Sequence, residues 1–246
     1  MAAVANFPYE VVETDGESAL AEWERLKNAG PGAPVVLGDD LDNLLHPFGS
    51  SERARLKPIE GILAAADAID FPRDLRKQRR DENAKAMAYL KQIASVADFD
   101  GGELEPPLGD WPTETSSSPG SGLTVAYEIR TGRPRPKVYI ALIPTNDSTA
   151  IPAYMHWGNW NECPSPAFHV AALRSWRARY GAELIGLGAD TINLRVSRKP
   201  ATREEALELA REQHVYCSDI INQGVGSYRA LAGGLMAHDW WFFWWD

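Results

Sequence analysis

The sequence predicts an α+β fold: a mostly antiparallel sheet of about five strands flanked by helices, preceded by an N-terminal α/β extension. Three observations lead there. After residue 122, short apolar runs alternate with segments of helical periodicity in the order β-β-α-β-β-α-α-β. Between Asp98 and Ser121, 12 of 24 residues are Gly, Pro or Ser, six are acidic and none is basic, which is the composition of a linker. The chemistry on the two sides also differs. Residues 1–121 hold 22 acidic and 12 basic side chains and two of the nine Trp, whereas residues 122–246 hold 12 acidic, 13 basic and seven Trp. The chain is therefore read as an acidic α/β region (1–97), a linker (98–121) and an aromatic-cored α+β domain (122–246).

In the first region, Ser18–Lys27 has helical spacing through Leu20, Trp23 and Leu26, and Asn28-Ala29-Gly30-Pro31-Gly32 stops it. Ala33–Leu37 is a short apolar run bounded by Pro and Gly, the pattern of a buried strand. Helices are expected at Ser51–Ala68 and Asp74–Ala97, separated by Phe71-Pro72. In the second region, Leu123–Arg130 and Lys137–Ile143 read as a hairpin joined by Thr131-Gly132-Arg133-Pro134. Pro164–Tyr180 is a helix with Phe168, Ala172, Trp176 and Tyr180 on one face, ended by Gly181. Glu183–Leu187 and Thr191–Val196 form a second strand pair. Thr202-Arg203-Glu204-Glu205 is a capping box opening a helix to about Tyr216, and a further helix covers Asp219–Met236. The last strand, Trp240–Trp245, carries large aromatics on both faces, which places it inside the sheet at the centre of the core.

Composition narrows the function classes. With 246 residues, 44% of them hydrophobic, the chain can bury a substantial core, which excludes disorder throughout. No run approaches the roughly 18 apolar residues of a membrane span, and Met1–Val12 lacks the order of a secretory signal. Two Cys give no disulfide framework and fit the reducing cytoplasm. Gly224-Val225-Gly226 lacks Rossmann or P-loop spacing, and Asp39, Asp40 and Asp42 lack that of an EF-hand, so no cofactor is implied. The basic run Arg73, Arg76, Lys77, Arg79 and Arg80 precedes Asp81-Glu82 and reads as a solvated helix face rather than a nucleic-acid surface.

Two clusters carry unusual chemistry. The first is Tyr154–Pro164 (YMHWGNWNECP), a loop entering a helix. Cys163 stands where backbone N–H groups and the helix dipole stabilise a thiolate, although a small buried thiol beneath Trp160 is the commoner use of such a residue. Asn161 fits a helix cap, and Trp157 and Trp160 fit a platform for a small ligand. The second cluster is Glu212–Asp219 (EQHVYCSD). Leu207, Ala210, His214 and Cys217 share one helix face, which is expected to point inward. Cys163, His169, His214 and Cys217 make a Cys2His2 set, but its C-x5-H and H-x2-C spacings match no familiar zinc knuckle. A nucleophilic arrangement of Cys163, His214 and Asp219 is the other chemical reading, and a capping Ser218 or Asp219 the plainer one. Glu212 adds a carboxylate. Asp246 brings two carboxylates to the end of the last strand, with Arg174, Arg177 and Arg195 as candidate cations.

Several motifs recur in a familiar order: WGNWNECPSP (Trp157–Pro166), YGAE (Tyr180–Glu183), A-x-x-L-A-x-E-Q (Ala206–Gln213), YCSDI (Tyr216–Ile220), NQGVG (Asn222–Gly226) and the terminal WFFWWD. Together they resemble a bacterial family known as domain of unknown function 4253, over roughly residues 138–246. The resemblance implies a bacterial, soluble, single-copy domain and no activity. It carries over no catalytic residue, although Cys163-Pro164 and Cys217 fall within its motifs. The acidic N-terminal half resembles the variable extensions attached to that domain.

The function expected is that of a cytoplasmic binding or interaction protein, of the immunity or toxin-neutralising kind, whose acidic half meets a basic protein partner. A small molecule is the other partner considered; nucleic acid and membrane are not expected. The alternative is an enzyme with a Cys163-centred nucleophile or zinc site near His214 and Asp219.

Overall fold

A computed structural model describes residues 4, 6–45, 47, 56–93, 105–113 and 122–245. Its strands are β1 (Glu10–Thr14), β2 (Ala33–Gly38), β3 (Val138–Ile143), β4 (Glu183–Leu187), β5 (Thr191–Arg195) and β6 (Trp240–Trp244). They form one six-stranded sheet in the order β1-β3-β2-β4-β5-β6. Neighbours are antiparallel except β2 and β4, which run parallel where Val36 meets Gly186. The fold is α+β, and the sheet is mixed rather than purely antiparallel. All six residues of β2 are buried, as the unbroken apolar run requires of a strand covered on both faces. β1 escapes sequence detection because it is an edge strand with no fully buried residue.

The helices are α1 (Ala19–Ala29), α2 (Leu41–Leu45), α3 (Ile59–Asp67), α4 (Arg73–Ile93), α5 (Ile151–Tyr154), α6 (Pro166–Tyr180), α7 (Arg203–Tyr216) and α8 (Tyr228–Ala237). Residues 51–55 of the expected Ser51 helix, 94–97 of the Asp74 helix and most of the linker lie outside the described residues. Gly181 ends α6 in the left-handed region at φ 62°, and Thr202 caps α7 by accepting from the Glu205 N–H. Glu205 reaches back to the Ala201 N–H, one residue before the expected position.

Period-two alternation sends strand residues to two cores. Val36, Val138, Ile140 and Ile185 face α1, where Trp23 is buried and donates from Nε1 to the Pro34 carbonyl at 2.8 Å. Val35, Leu37, Ala141, Ile143, Leu184 and Leu194 face the larger helical layer that contains α6 and α7. Ion pairs also cross between the halves of the sequence. Glu13 meets Lys137, Glu24 meets Arg195, Asp39 meets Arg135 and Asp67 meets Arg174.

Three expectations are corrected. Leu123–Arg130 is not a strand: Thr124–Ala126 forms a 3-10 turn, and only Tyr127 bridges to Pro134. The cause is Asn193 on β5, fully buried, whose Oδ1 accepts from the Val125 N–H and whose Nδ2 donates to Thr124 Oγ1. A continuous strand would leave that amide unpaired. The helix expected over Asp219–Met236 is two elements, a π-helical turn at Ile220–Val225 and α8. Gly226 at φ 76° breaks it, and Ser227 caps α8 by accepting from the Ala230 N–H.

The third correction concerns β6, which is an edge strand and not an interior one. Its burial alternates: Trp241 and Phe243 are buried, whereas Trp240, Phe242 and Trp244 are half-buried. The buried face stacks on the helices. Trp176 of α6 lies parallel to Phe243 with centroids 5.4 Å apart and makes edge contacts with Phe71, Tyr216 and Trp241. On the outer face Phe242 and Trp244 stack on each other at 4.9 Å, so neighbouring rings supply part of the cover. Phe243→Ala is expected to cost about 3–5 kcal/mol in urea denaturation and Phe242→Ala under half of that. Equal losses would contradict the two-faced reading of β6.

Candidate functional site

The Tyr154–Pro164 loop is where backbone strain concentrates. His156 (φ 47°), Asn159 (φ 76°) and Asn161 (φ 45°) are the non-glycine residues in the left-handed region among the described residues, and Gly158 between them sits at φ 113°. A Cβ on Gly158 would stand 2.2 Å from the Pro164 carbonyl oxygen, so the chain closes on itself there. The Asn159 N–H donates to the Pro164 carbonyl at 3.0 Å and the Cys163 N–H to the Trp160 carbonyl at 2.8 Å. Trp157 is buried, donates from Nε1 to the Gly188 carbonyl, and meets Trp160 edge-on at 4.8 Å. Trp157 thus anchors the loop to the β4–β5 turn. Asn161 is exposed and stands four residues before the N-cap position of α6, which is Ser165, whose side chain makes no capping bond.

Inside the loop lies a polar row. Cys163 Sγ is 3.4 Å from His169 Nε2, and His169 Nδ1 is 2.6 Å from the Tyr216 hydroxyl. All three residues are buried, and Trp157, Trp245 and Tyr216 ring the imidazole. The two ring nitrogens of His169 thus meet a thiol and a phenol, and a neutral imidazole satisfies both contacts, one nitrogen donating and the other accepting. Burial holds the His169 pKa down to about 3 and pushes the Cys163 thiol up; it also pushes the Cys217 thiol up to about 12. Cys163 precedes the N-cap by two residues, so the helix N-terminus does not offset the cost of burying a thiolate. The partner of Cys163 is therefore His169 and not His214, and burial disfavours both the thiolate and the imidazolium. This row joins the loop, α6 and α7 as a neutral structural unit.

The other nominated residues separate. Cys217 donates to the Trp244 carbonyl at 2.9 Å. His214 is half-buried and turns away from the core to Tyr228, whose hydroxyl donates to Glu105 Oε1 at 2.7 Å. Of the face expected to point inward, Ala210 and Cys217 are buried, whereas Leu207 and His214 are half-buried, because the helix turns Ala206, Leu209, Gln213 and Tyr216 to the core. No group of three His, Cys, Asp or Glu side chains among the described residues is arranged to hold a metal ion. Asp219 accepts from Gln223, and buried Glu212 accepts from Trp176 Nε1 and from Arg179, so it ties α7 to α6. Asp246 lies outside the described residues; Arg174, Arg177 and Arg195 pair with Asp67, Asp147 and Glu24.

Both sequence clusters nevertheless reach one place. A cleft of about 610 Å³ lies between α4 and α7, with Asn161 and Glu162 from the strained loop and His214 and Ser218 from the second cluster in its lining. α4 contributes Arg76, Arg79 and Arg80, one helix face by their three- and four-residue spacing, and α7 contributes Arg211 opposite them. Arg79 donates to the Glu162 carbonyl and clamps α4 to the loop. Arg76, Arg80 and Arg211 are exposed and make no ion pair among the described residues. The lining carboxylates have near neighbours as partners: Glu82 accepts from Gln78 and pairs with Arg79, Glu105 accepts from Tyr228 and Glu162 from the Ser218 hydroxyl. The basic run on α4, expected to be merely solvated, is one wall of this cleft. Its spacing was visible in the sequence, whereas its neighbours Arg211, Glu105 and Tyr228 carried no signal.

Fold and site together define an α+β protein with a charged cleft between two helices and a buried Cys–His–Tyr row. Residues 139–246 match the family model of DUF4253, a domain of unknown function, in agreement with the motifs quoted above. No curated protein and no solved structure matches the chain. The matched segment holds the loop, α6, α7 and α8, while Arg76, Arg79, Arg80 and Glu105 of the cleft precede it.

Two measurements check the row. Ellman's reagent is expected to find both thiols unreactive in the native protein and to titrate two on unfolding; fast native reaction of Cys163 would overturn its inert assignment. The second is linkage. Unfolding returns the His169 pKa from about 3 to its ordinary value of 6.5, so the unfolded chain takes the proton first. Stability is therefore full above pH 6.5 and falls as pH drops toward 3, by up to ~1.4 kcal/mol per pH unit for this group. Between pH 7 and 5.5 the wild-type Tm should fall more steeply than that of His169→Gln, which keeps a donor and an acceptor. Parallel curves would refute a neutral buried His169.

Proposed function

We propose that this is a binding protein for a small anionic molecule, held in the cleft between α4 and α7. One observation carries the reading: four arginines, Arg76, Arg79, Arg80 and Arg211, line the cleft against three carboxylates, and Arg76, Arg80 and Arg211 are exposed with no ion pair among the described residues. An excess of guanidinium groups lining a concave space favours anions by charge and by directed hydrogen bonds. Strain in the adjoining loop supports it, since left-handed non-glycine residues cost on the order of 1–3 kcal/mol each and persist where geometry is needed.

The wider interaction reading, with a basic protein against the acidic half, has less support. Glu13, Glu24, Asp39 and Asp67 of that half already meet cations of the second half. The enzyme reading has less support, because burial disfavours the thiolate of Cys163 and the imidazolium of His169.

Thermal-shift measurements with matched anionic, neutral and cationic metabolites test the proposal. At a hundredfold excess over Kd an anionic ligand adds about 2.7 kcal/mol, on the order of 5–10 °C for a chain of this size. The Arg76→Ala/Arg80→Ala/Arg211→Ala variant, altered only at exposed positions, should keep its own Tm and lose the shift. Shifts that survive in the variant, or that neutral compounds match, would overturn the assignment.

A further inference from the structure

We infer that the ligand of the cleft is a phosphate monoester of a small polyhydroxylated molecule, such as a sugar phosphate. The inference rests on the cleft being the binding site and adds the chemical class of its occupant. Three guanidinium groups from two facing helices present more donors and more charge than one carboxylate can satisfy, because a carboxylate offers two oxygens and a single charge. A phosphate monoester has three terminal oxygens and a charge between −1.5 and −2 near neutral pH, roughly the count that Arg76, Arg80 and Arg211 supply.

The remaining lining selects the body of the molecule. Glu105, Glu82 and Glu162 stand in the same cleft; Glu105 and Glu162 are each held by one hydroxyl donor and Glu82 by Gln78 and Arg79, which leaves oxygen lone pairs for further donors. Such acceptors suit hydroxyl donors. They repel an extended polyanion, which argues against a nucleic-acid strand. Tyr228 has Arg211 over its ring and His214 in a T-shaped contact with it, which reduces the ring surface on which a nucleobase would stack. The volume of about 610 Å³ lies within the range of small-molecule sites.

Isothermal titration of the full chain separates the parts, using inorganic phosphate, a hexose 6-phosphate, the free hexose, the corresponding hexuronate and a short single-stranded oligonucleotide. The hexose phosphate should bind about tenfold or more tightly than inorganic phosphate and than the hexuronate. Arg211→Ala and Arg80→Ala should each weaken the hexose phosphate by about tenfold or more. Glu105→Gln should weaken the hexose phosphate and leave inorganic phosphate unchanged, because it faces hydroxyls and not the phosphoryl group. Circular dichroism of each variant establishes that it is folded, and Lys85→Ala on the same helix serves as a charge control expected to change nothing. Hexuronate binding as tight as the hexose phosphate overturns the phosphate class and leaves an anion site standing. Oligonucleotide binding tighter than the hexose phosphate overturns the small-ligand class. Weak phosphate binding indifferent to the arginine substitutions marks an adventitious ion only and overturns the inference. Binding by no anion at all removes the inference and the proposed function together.

Discussion

Between β3 and β4 the sheet is completed by β2, a strand that comes from the other side of the Gly/Pro/Ser-rich stretch. Its backbone pairs with β3 over five residues on one side and meets β4 on the other. Without it the sheet would divide into β1-β3 and β4-β5-β6, each with an exposed row of unpaired N–H and C=O groups and an uncovered apolar face. The segment that matches DUF4253 begins inside β3 and so contains β3 to β6 but not the strand that joins them. The matched segment and the residues before it are thus physically interdependent in this chain.

The cleft inherits that dependence. α4 follows β2 in the chain and is clamped by Arg79 to the Glu162 carbonyl, while Glu212 of α7 accepts from Trp176 and Arg179 of α6 and so holds the two helices together. Glu105 adds to the lining, and the segment after it is tied down where the carbonyls of Pro107 and Leu108 accept from the Tyr228 and Arg229 N–H groups at the start of α8. That pairing satisfies two of the donors that a helix N-terminus leaves free, and it positions Glu105 against Tyr228.

Cys163 shows how context decides chemistry. A thiol, an imidazole and a phenol in a row could be a catalytic set. Enclosed by Trp157, Trp245 and Tyr216, the thiol and the imidazole are held in their neutral forms by burial. Desolvation outweighs any activation of the sulfur, and the same groups become a rigid support for the strained loop at the rim of the cleft.

Local features were legible where local physics decides them. Gly181 at the end of α6, the Thr202 cap, the buried run of β2 and the motifs of the matched segment all follow from short-range residue chemistry. The sequence by itself determined the α+β class and the places where unusual residues gather. Only the tertiary structure decided that β6 is an edge, because one face of its aromatic run is covered by Trp176 and Tyr216 and the other is half open. Only the tertiary structure paired Cys163 with His169, six residues on, where the left-handed turns of the loop bring the thiol back to α6, and only it brought the α4 arginines to Arg211. The second meeting depends on how helices about 130 residues apart in the chain pack against each other, and periodicity records which face of a helix is polar but not what that face will meet.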